Sequence, residues 1–222
     1  MKFSKTDFGY DLPSELIAKY PSQQRTESKT LILDNKFTIQ FFKDTLNHFA
    51  EYDLVVLNET KVRPARILLQ KDSGGYVEIL ILQKTTKYRA VCLAKGLNRK
   101  KTNQTLYAPN FPVKIKIITN GSKDIEIEFD QDIDQLCTEI GQMPIPPYLG
   151  REAEKIDIER YQTVFANDER LGSAAAPTAS LHMDDAFLMN VEHATQVCRI
   201  NLNVGYGTVS YTHLTLPTSY AV

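Results

Sequence analysis

The spacing of hydrophobic positions changes along the chain and separates segments of different predicted structure. Up to about residue 62 the pattern is mixed, with strands predicted at 30–34 and 54–57, a short helix within 7–19 and a helix at 43–51. The middle part carries only strand patterns, at 65–70, 76–82, 88–94, 113–119 and 124–129. After residue 130 helical spacing returns, which predicts helices at 131–140, 158–165 and 184–194 and a strand at 198–204.

The clearest pair of predicted strands lies on either side of the turn signal at 120–122. Hydrophobic residues alternate with lysines at 113–117 and with glutamates at 125–129. A turn with an odd number of loop residues would keep both apolar sets on one face of the sheet. It would also place Lys116 opposite Glu128, which is a favourable cross-strand pair. The middle part is therefore predicted to be a small antiparallel barrel or sandwich.

These patterns predict a mixed α/β (α+β) fold in which a small antiparallel β-domain, a barrel or a sandwich, is inserted into a larger α/β domain. The predicted boundaries are 1–62 and 141–208 for the large domain, 63–140 for the barrel, and 209–222 for an atypical tail. The apolar run 54–57 is predicted to be a strand buried on both faces. It leads into the polar, basic loop 58–66, which is either part of a site or a solvated connection.

Composition narrows the class of protein without naming an activity. The 222 residues carry a formal net charge of −1, so the overall charge does not favour nucleic acid, although a local basic patch still allows it. The three cysteines are far apart, which favours core thiols in a reducing compartment over a zinc site. The first residues lack the apolar stretch of a signal peptide, and no segment has the length of a membrane span. We therefore expect a cytoplasmic protein.

Three groups of residues are candidates for chemistry. His182 precedes a predicted helix, and the nearby Asp184 and Asp185 are expected to keep its pKa close to neutral, although a structural hydrogen-bonding role is the alternative. Arg99–Lys101, with Lys95 nearby, is the densest basic cluster and is either a phosphate contact or a solvated loop tip. Gly205-Tyr206-Gly207 is weak evidence for a dinucleotide site and is more typical of a tight turn.

Longer blocks of sequence are more specific than these single residues. In order, they resemble the S-adenosylmethionine:tRNA ribosyltransferase-isomerases of queuosine biosynthesis over about residues 3–208. The blocks are 7–18 (DFGYDLPSELIA), 57–66 (LNETKVRPAR), 74–80 (GGYVEIL), 141–148 (GQMPIPPY), 160–166 (RYQTVFA) and 175–182 (AAPTASLH).

The resemblance implies a fold and a reaction. The family fold is a large α/β domain with an inserted small β-barrel. The family transfers the ribosyl unit of S-adenosylmethionine, as co-substrate and without a metal, to 7-aminomethyl-7-deazaguanine at the wobble position of a tRNA anticodon. The unit is then isomerised to give epoxyqueuosine, with release of adenine and methionine. A monomer that acts on tRNA and does not bind membranes is expected.

The resemblance also implies the roles of individual residues. His182 is the predicted general base for a C5′ proton, which the adjacent sulfonium acidifies. The predicted substrate-binding residues lie in the matching blocks or in the glycine turn that follows them, and they are Asn58, Thr60, Arg63, Tyr148, Arg160, Tyr161, Pro177, Thr178, Gly205 and Gly207. Among them, Arg160, Tyr161 and Thr178 are expected to line the adenine pocket, and Tyr148 to stack on the modified guanine.

The sequence also departs from the family pattern. Ser180 replaces a glycine, Met183 and Val209 replace phenylalanines, and Asn203 replaces a histidine. The resemblance is expected to end after Thr208, and 209–222 is expected to be non-native sequence, so that a folded 1–208 leaves part of the core of the large domain uncovered.

Two alternative functions remain open at this point. The first is a non-catalytic RNA-binding β-barrel protein, which the predicted strands and the basic cluster support. The second is an S-adenosylmethionine-dependent tRNA methyltransferase, which the lack of a glycine-rich turn after the first strand disfavours.

Overall fold

The computed structural model describes residues 4, 7, 9–33, 36–109 and 111–205. The predictions for Gly207 and for the tail 209–222 lie outside these residues. The strands are β1 (Lys29–Leu33), β2 (Phe37–Phe41), β3 (Leu54–Asn58), β4 (Lys61–Val62), β5 (Arg66–Gln70), β6 (Tyr76–Lys84), β7 (Arg89–Lys95), β8 (Asn103–Tyr107), β9 (Pro112–Asn120), β10 (Ile125–Phe129), β11 (Gly141–Gln142), β12 (Leu171–Ser173) and β13 (Gln196–Ile200). The α-helices are α1 (Leu46–Ala50), α2 (Ile133–Ile140), α3 (Lys155–Arg160) and α4 (Asp185–Ala194).

Six antiparallel strands form a closed barrel in the order β5-β6-β7-β10-β9-β8. The pairing of Gln70 with Tyr107 joins β8 back to β5 and completes the closure. Inward positions alternate with outward ones along each strand, so the interior fills with one large apolar cluster that also includes residues of α2. The predicted mixed α/β fold with a small antiparallel barrel is therefore confirmed.

The strand β8 was missing from the predicted set, although it closes the barrel. Its sequence NQTLY is mostly polar, and only Gln104 and Leu106 point inward and are buried. The Gln104 amide is satisfied there by the carbonyls of Asn98 and Lys101, at 3.0 and 2.8 Å. A buried polar residue with partners from a loop leaves no apolar alternation to detect.

The β9–β10 pair has the predicted register but reaches it by a different route. Lys116 lies opposite Glu128, as expected. The connection 121–124 has an even number of residues, which alone would put the two apolar sets on opposite faces. A register shift between Glu126 and Ile127 inserts one extra residue and restores the phase, so Ile117 and Ile127 pair on the inner face.

The chain leaves the barrel beside the point where it enters. The helix α2 is capped by Asp132, which accepts from the backbone N–H of Asp134, whereas the Asp130 carboxylate accepts from the backbone N–H of Lys114 at 2.9 Å. The helix ends at Ile140, and β11 begins at Gly141 and pairs with β5. A Cβ at Gly141 would lie 2.1 Å from the carbonyl oxygen of Pro64, so only glycine fits this crossing.

Two small parallel pairs, β13 with β3 and β12 with β4, form the centre of the α/β part. On β3 the inner residue Leu57 is buried and packs near α4, whereas Leu54 and Val56 are exposed. The prediction that this strand is buried on both faces is therefore wrong for the described residues, because nothing among them covers its outer face. Cys198 on β13 is likewise exposed rather than a core thiol, whereas Cys92 and Cys137 are buried as expected.

Several predicted elements are shorter than or displaced from their expected positions. The described residues of 7–19 contain a 3₁₀ turn at Ser14–Leu16 and no α-helix. The helix predicted at 158–165 is α3, which begins three residues earlier because Glu154 and Asp157 form a capping box. It ends at Arg160 because the next residues turn inward. The predicted strand at 198–204 ends at Ile200, since Asn58 binds the following backbone in place of a strand partner.

Candidate functional site

Five of the predicted site residues line one cavity of about 410 Å³. They come from three separate segments of the α/β part, and they are Tyr148, Arg160, Tyr161, Thr178 and His182. The N-terminal segment 17–28 supplies the opposite wall, including Ile17, Pro21 and Arg25. The volume is within the range of small-molecule sites, and the mixture of apolar walls with a few polar groups is typical of them.

His182 lies at the edge of this cavity, with its ring 5.5 Å from the ring of Phe42. Burial lowers its pKa below the ordinary 6.5, and a hydrogen bond that the ring donates to the backbone of Ala179 acts in the opposite direction. The expected influence of Asp184 is not seen, because that carboxylate caps α4 by accepting from the N–H of Phe187 at 2.8 Å. The lowered pKa favours the neutral imidazole near pH 7, and a neutral imidazole carries one ring nitrogen that can accept a proton.

Tyr161 contributes a hydroxyl whose residue is 8% exposed. This hydroxyl has no hydrogen bond of good geometry among the described residues, and the backbone of Ala176 exerts only a secondary effect on it. Burial raises its pKa to about 12, so the group stays protonated. An unsatisfied buried donor that borders a cavity is available to a ligand acceptor.

Two arginines at this cavity bind backbone carbonyls across the same junction. Arg25 donates to the carbonyls of Leu181 at 3.1 Å and Glu159 at 2.9 Å. Arg160 donates in the reverse direction, to the carbonyls of Ser22 at 2.8 Å and Gln23 at 3.1 Å. Together they attach the N-terminal segment to α3 and to the turn before His182.

A buried ion pair secures the same segment further along the cavity. Arg151 makes two 2.7 Å bonds to the carboxylate of Asp157, and both side chains are at most 10% exposed. The remaining Arg151 nitrogen donates to the carbonyl of Lys19 at 2.7 Å, and its guanidinium lies over the ring of Tyr20. Hydrogen bonding to Arg151 is the main reason that the pKa of Asp157 is lowered.

Asn58 and Thr60 lie at the end of β3 and bind the chain itself. The Asn58 amide accepts from the N–H of Leu202 at 2.9 Å and donates to its carbonyl at 2.8 Å. Thr60 is fully buried and donates to the side-chain oxygen of Asn203 at 3.0 Å. The residue that departs from the family histidine therefore anchors the segment after β13.

The other predicted residues are distributed around these elements. Arg63 is buried, and its guanidinium lies 3.4 Å from the carboxylate of Asp134 on α2, so it connects the barrel to the α/β part. Pro177 immediately precedes the 3₁₀ turn Thr178–Ser180 that carries Thr178. Gly205 is exposed and lies outside the cavity lining. The structure thus brings His182 together with four of the predicted residues, whereas the cavity lining does not include Asn58, Thr60, Arg63, Pro177 or Gly205.

Arg99, the first residue of the basic cluster on the barrel, has a structural role. Arg99 donates to the carbonyls of Gly121 at 3.0 Å and Lys123 at 3.2 Å, which fastens its loop to the β9–β10 turn. This loop belongs to the barrel, and none of its residues lines the cavity that contains His182.

Sequence reasoning missed Arg25, Arg151, Asp157 and Gln162. Gln162 is buried and bonds both backbone groups of Val62, at 2.9 and 2.8 Å, in the way that a strand partner would. None of these residues has a periodic pattern around it. Gln162 does lie in a block that resembles the family, which was the available signal.

No helix among the described residues is long and apolar enough to cross a membrane. In the same part of the chain, no group of three or more histidine, cysteine or acidic side chains could hold a metal ion.

Comparison with known proteins identifies relatives of this chain and the family to which it belongs. A curated S-adenosylmethionine:tRNA ribosyltransferase-isomerase from Acinetobacter baumannii (strain SDF) is 42% identical over 210 residues, covering 91% of this chain and 59% of the relative. A protein of the same name from Trichlorobacter lovleyi is 36% identical over 208 residues, with 91% and 60% covered. A solved S-adenosylmethionine tRNA ribosyltransferase from Thermotoga maritima is 21% identical, covers 92% of this chain and 59% of its own, and has a TM-score of 0.34.

This chain spans about 60% of the length of the curated relatives that it matches. The sequence profile of a family described as queuosine biosynthesis protein matches residues 5–218. The match continues past Thr208, which contradicts the expectation that the resemblance ends there. Because it extends over nearly all of the sequence, the chain belongs to the queuosine biosynthesis protein family.

Proposed function

We propose that this chain provides the S-adenosylmethionine site of a tRNA ribosyltransferase-isomerase. The reaction would transfer the ribosyl moiety to 7-aminomethyl-7-deazaguanine in tRNA and isomerise it to epoxyqueuosine, with release of adenine and methionine. The relatives that carry this enzyme name support the proposal. The observation that carries it is the convergence of His182, Tyr161 and Thr178 on one cavity.

In this proposal His182 removes a C5′ proton from the co-substrate. The proton moves to an imidazole nitrogen, and the electron pair of the C–H bond stays on the carbon, where the neighbouring sulfonium stabilises it. A base for this step must be unprotonated in the resting protein, and the lowered pKa of His182 meets that condition. Replacing His182 by a residue that cannot accept a proton would therefore stop the first step.

Tyr161 and Thr178 are the proposed contacts for the adenine leaving group. Departing adenine accumulates negative charge on its nitrogens, so hydrogen-bond donors stabilise it. Tyr161 remains protonated because its pKa is raised to about 12, and its hydroxyl lacks a good partner within the described residues. Tyr148 is exposed at the same cavity and presents an aromatic face on which the tRNA base can stack.

The predicted substrate contacts of Asn58, Thr60 and Arg63 remain predictions. Their side chains bond Leu202, Asn203 and Asp134, so ligand contact would require these internal bonds to be exchanged. The proposal therefore rests on the residues that line the cavity and not on these three.

The test separates binding from chemistry. We expect calorimetry to detect S-adenosylmethionine binding by this chain, and Tyr161→Phe to weaken it by about fivefold to thirtyfold, the loss of one buried hydrogen bond. His182→Gln should bind normally but release no adenine with precursor tRNA. Tyr107→Phe, on the outer face of the barrel, is the control. Normal adenine release by His182→Gln would refute the assigned base, and S-adenosylhomocysteine as the product would indicate methyl transfer instead.

A further inference from the structure

The segment 22–28 contacts the His182 turn on both of its flanks. Before His182, the Arg25 guanidinium donates to the carbonyl of Leu181 at 3.1 Å. After it, the Thr26 hydroxyl donates to one carboxylate oxygen of Asp184 at 3.3 Å, while the other oxygen caps α4. The last residue of the segment accepts from the N–H of Phe42 at 2.8 Å, and the Phe42 ring lies against His182.

Arg25 and Arg160 join the two segments by reciprocal hydrogen bonds to backbone carbonyls. Each guanidinium binds carbonyls of the segment that carries the other, and neither has a carboxylate within ion-pair distance among the described residues. Burial is the main cause of the lowered pKa of Arg25, and repulsion from the charge of Arg160 adds to it. Charge attraction therefore does not explain why the two guanidinium groups lie at the same junction. The planar fork of several N–H groups, which lysine lacks, explains why arginine stands at position 25.

We propose that Arg25 is a positioning residue that holds the His182 imidazole against Phe42 and away from bulk water. Thr26 supports the same arrangement from the helix side through Asp184. The catalytic consequence of this arrangement rests on the proposed function, whereas the position of the ring does not. The other charged groups at the cavity are Arg151 and Asp157, which pair with each other, and Arg160.

The decisive variant is Arg25→Lys, because it keeps the positive charge and removes the fork. A direct charge effect on His182 is thus unchanged, and any change in the pKa of its imidazole reports geometry and solvation. The measurement is an NMR titration of the histidine ring protons, with the His182 signal identified by its loss in His182→Gln. We expect the pKa of His182 to rise toward the ordinary 6.5 as water reaches the ring.

Arg99→Lys is the matched control. Arg99 also donates to two backbone carbonyls, but on the barrel and outside the cavity. We expect this variant to leave the pKa of His182 unchanged. Equal shifts in the two lysine variants, or none in Arg25→Lys, would overturn the positioning role. If Arg25→Lys does not fold, Thr26→Val, with Thr26→Ser as its rescue, tests the other flank by the same titration.

Turnover distinguishes the positioning role from the proposed function. In adenine release with precursor tRNA, Arg25→Lys is expected to lower kcat about tenfold to a hundredfold with a smaller change in KM, since a displaced base impairs chemistry more than binding. A shifted pKa of His182 together with an active His182→Gln variant would retain the positioning role and refute the role of His182 as base. An unshifted pKa of His182 together with an inactive His182→Gln variant would refute the positioning role of Arg25 and retain the role of His182 as base.

Discussion

The barrel and the α/β part are held together by different means. Alternating side chains fill the barrel with one continuous apolar cluster, and the pairing of Gln70 with Tyr107 closes its sheet between β5 and β8. The α/β part has two smaller apolar clusters, and it also contains buried polar contacts such as Arg151–Asp157 and Gln162–Val62. It also exposes apolar residues on the paired strands β1 and β2.

This difference matches the location of the candidate site. A barrel interior filled by apolar side chains has no room for a ligand, whereas polar junctions between loops place donors and acceptors around a cavity. Buried polar groups must be satisfied, so each of these junctions depends on particular partners far apart in the sequence. The α/β part is therefore expected to be less tolerant of polar substitution and more tolerant of apolar truncation at its surface.

The largest expected effect comes from truncating the barrel core. Phe129→Ala should lower the free energy of unfolding by about 3–5 kcal/mol, because a large buried side chain is replaced by a cavity. Phe37→Ala is the matched control, since Phe37 is 81% exposed on β2, and we expect a change within about 0.5 kcal/mol. Urea unfolding measures both. Similar losses for the two variants would mean that the outer face of the β1–β2 pair is covered in solution.

The next effect comes from a polar junction. Asp157→Asn should destabilise the protein by about 3 kcal/mol, because it leaves the buried Arg151 without its counter-charge. Asp168→Asn is the control, since Asp168 pairs with Lys61 at the surface and should contribute less than about 1 kcal/mol. The native pKa of Asp157 lies below 3.8, so its contribution is full above pH 3.8 and is lost as the pH falls through the native pKa. Acid unfolding of the two variants with the same midpoint would contradict this account.

The smallest effect is the pH dependence due to His182. Its native pKa is lowered below 6.5, so the native state prefers the neutral imidazole. The corresponding stability is full above pH 6.5 and is lost as the pH falls from 6.5 through the native pKa. His182→Gln should remove this loss, which appears as a difference between the urea midpoints of the two proteins at pH 5 and pH 7.5. An identical pH dependence in both would show that the ring is solvated.

The sequence alone determined those elements in which the type of each residue indicates whether it faces the core or the solvent. Strict alternation at 113–117 and 125–129 assigned the inner face of the barrel and the pairing of Lys116 with Glu128. Helical spacing identified α2 and α4. The similarity of the blocks 160–166 and 175–182 to a family directed attention to Tyr161 and His182, because whole blocks are far more specific than single residues.

Only the tertiary structure decided how these pieces meet. The bulge after Glu126 restores the phase of the β9–β10 pair, and the polar strand β8 closes the barrel, and no local pattern encodes either feature. The bond from Arg25 to the carbonyl of Leu181 joins residues 156 positions apart, and an arginine can bind any carbonyl within reach. Periodicity specifies which side of an element is apolar, whereas a polar contact is specified by a partner that the folded chain alone brings near. The cavity at His182 is built almost entirely from contacts of the second kind.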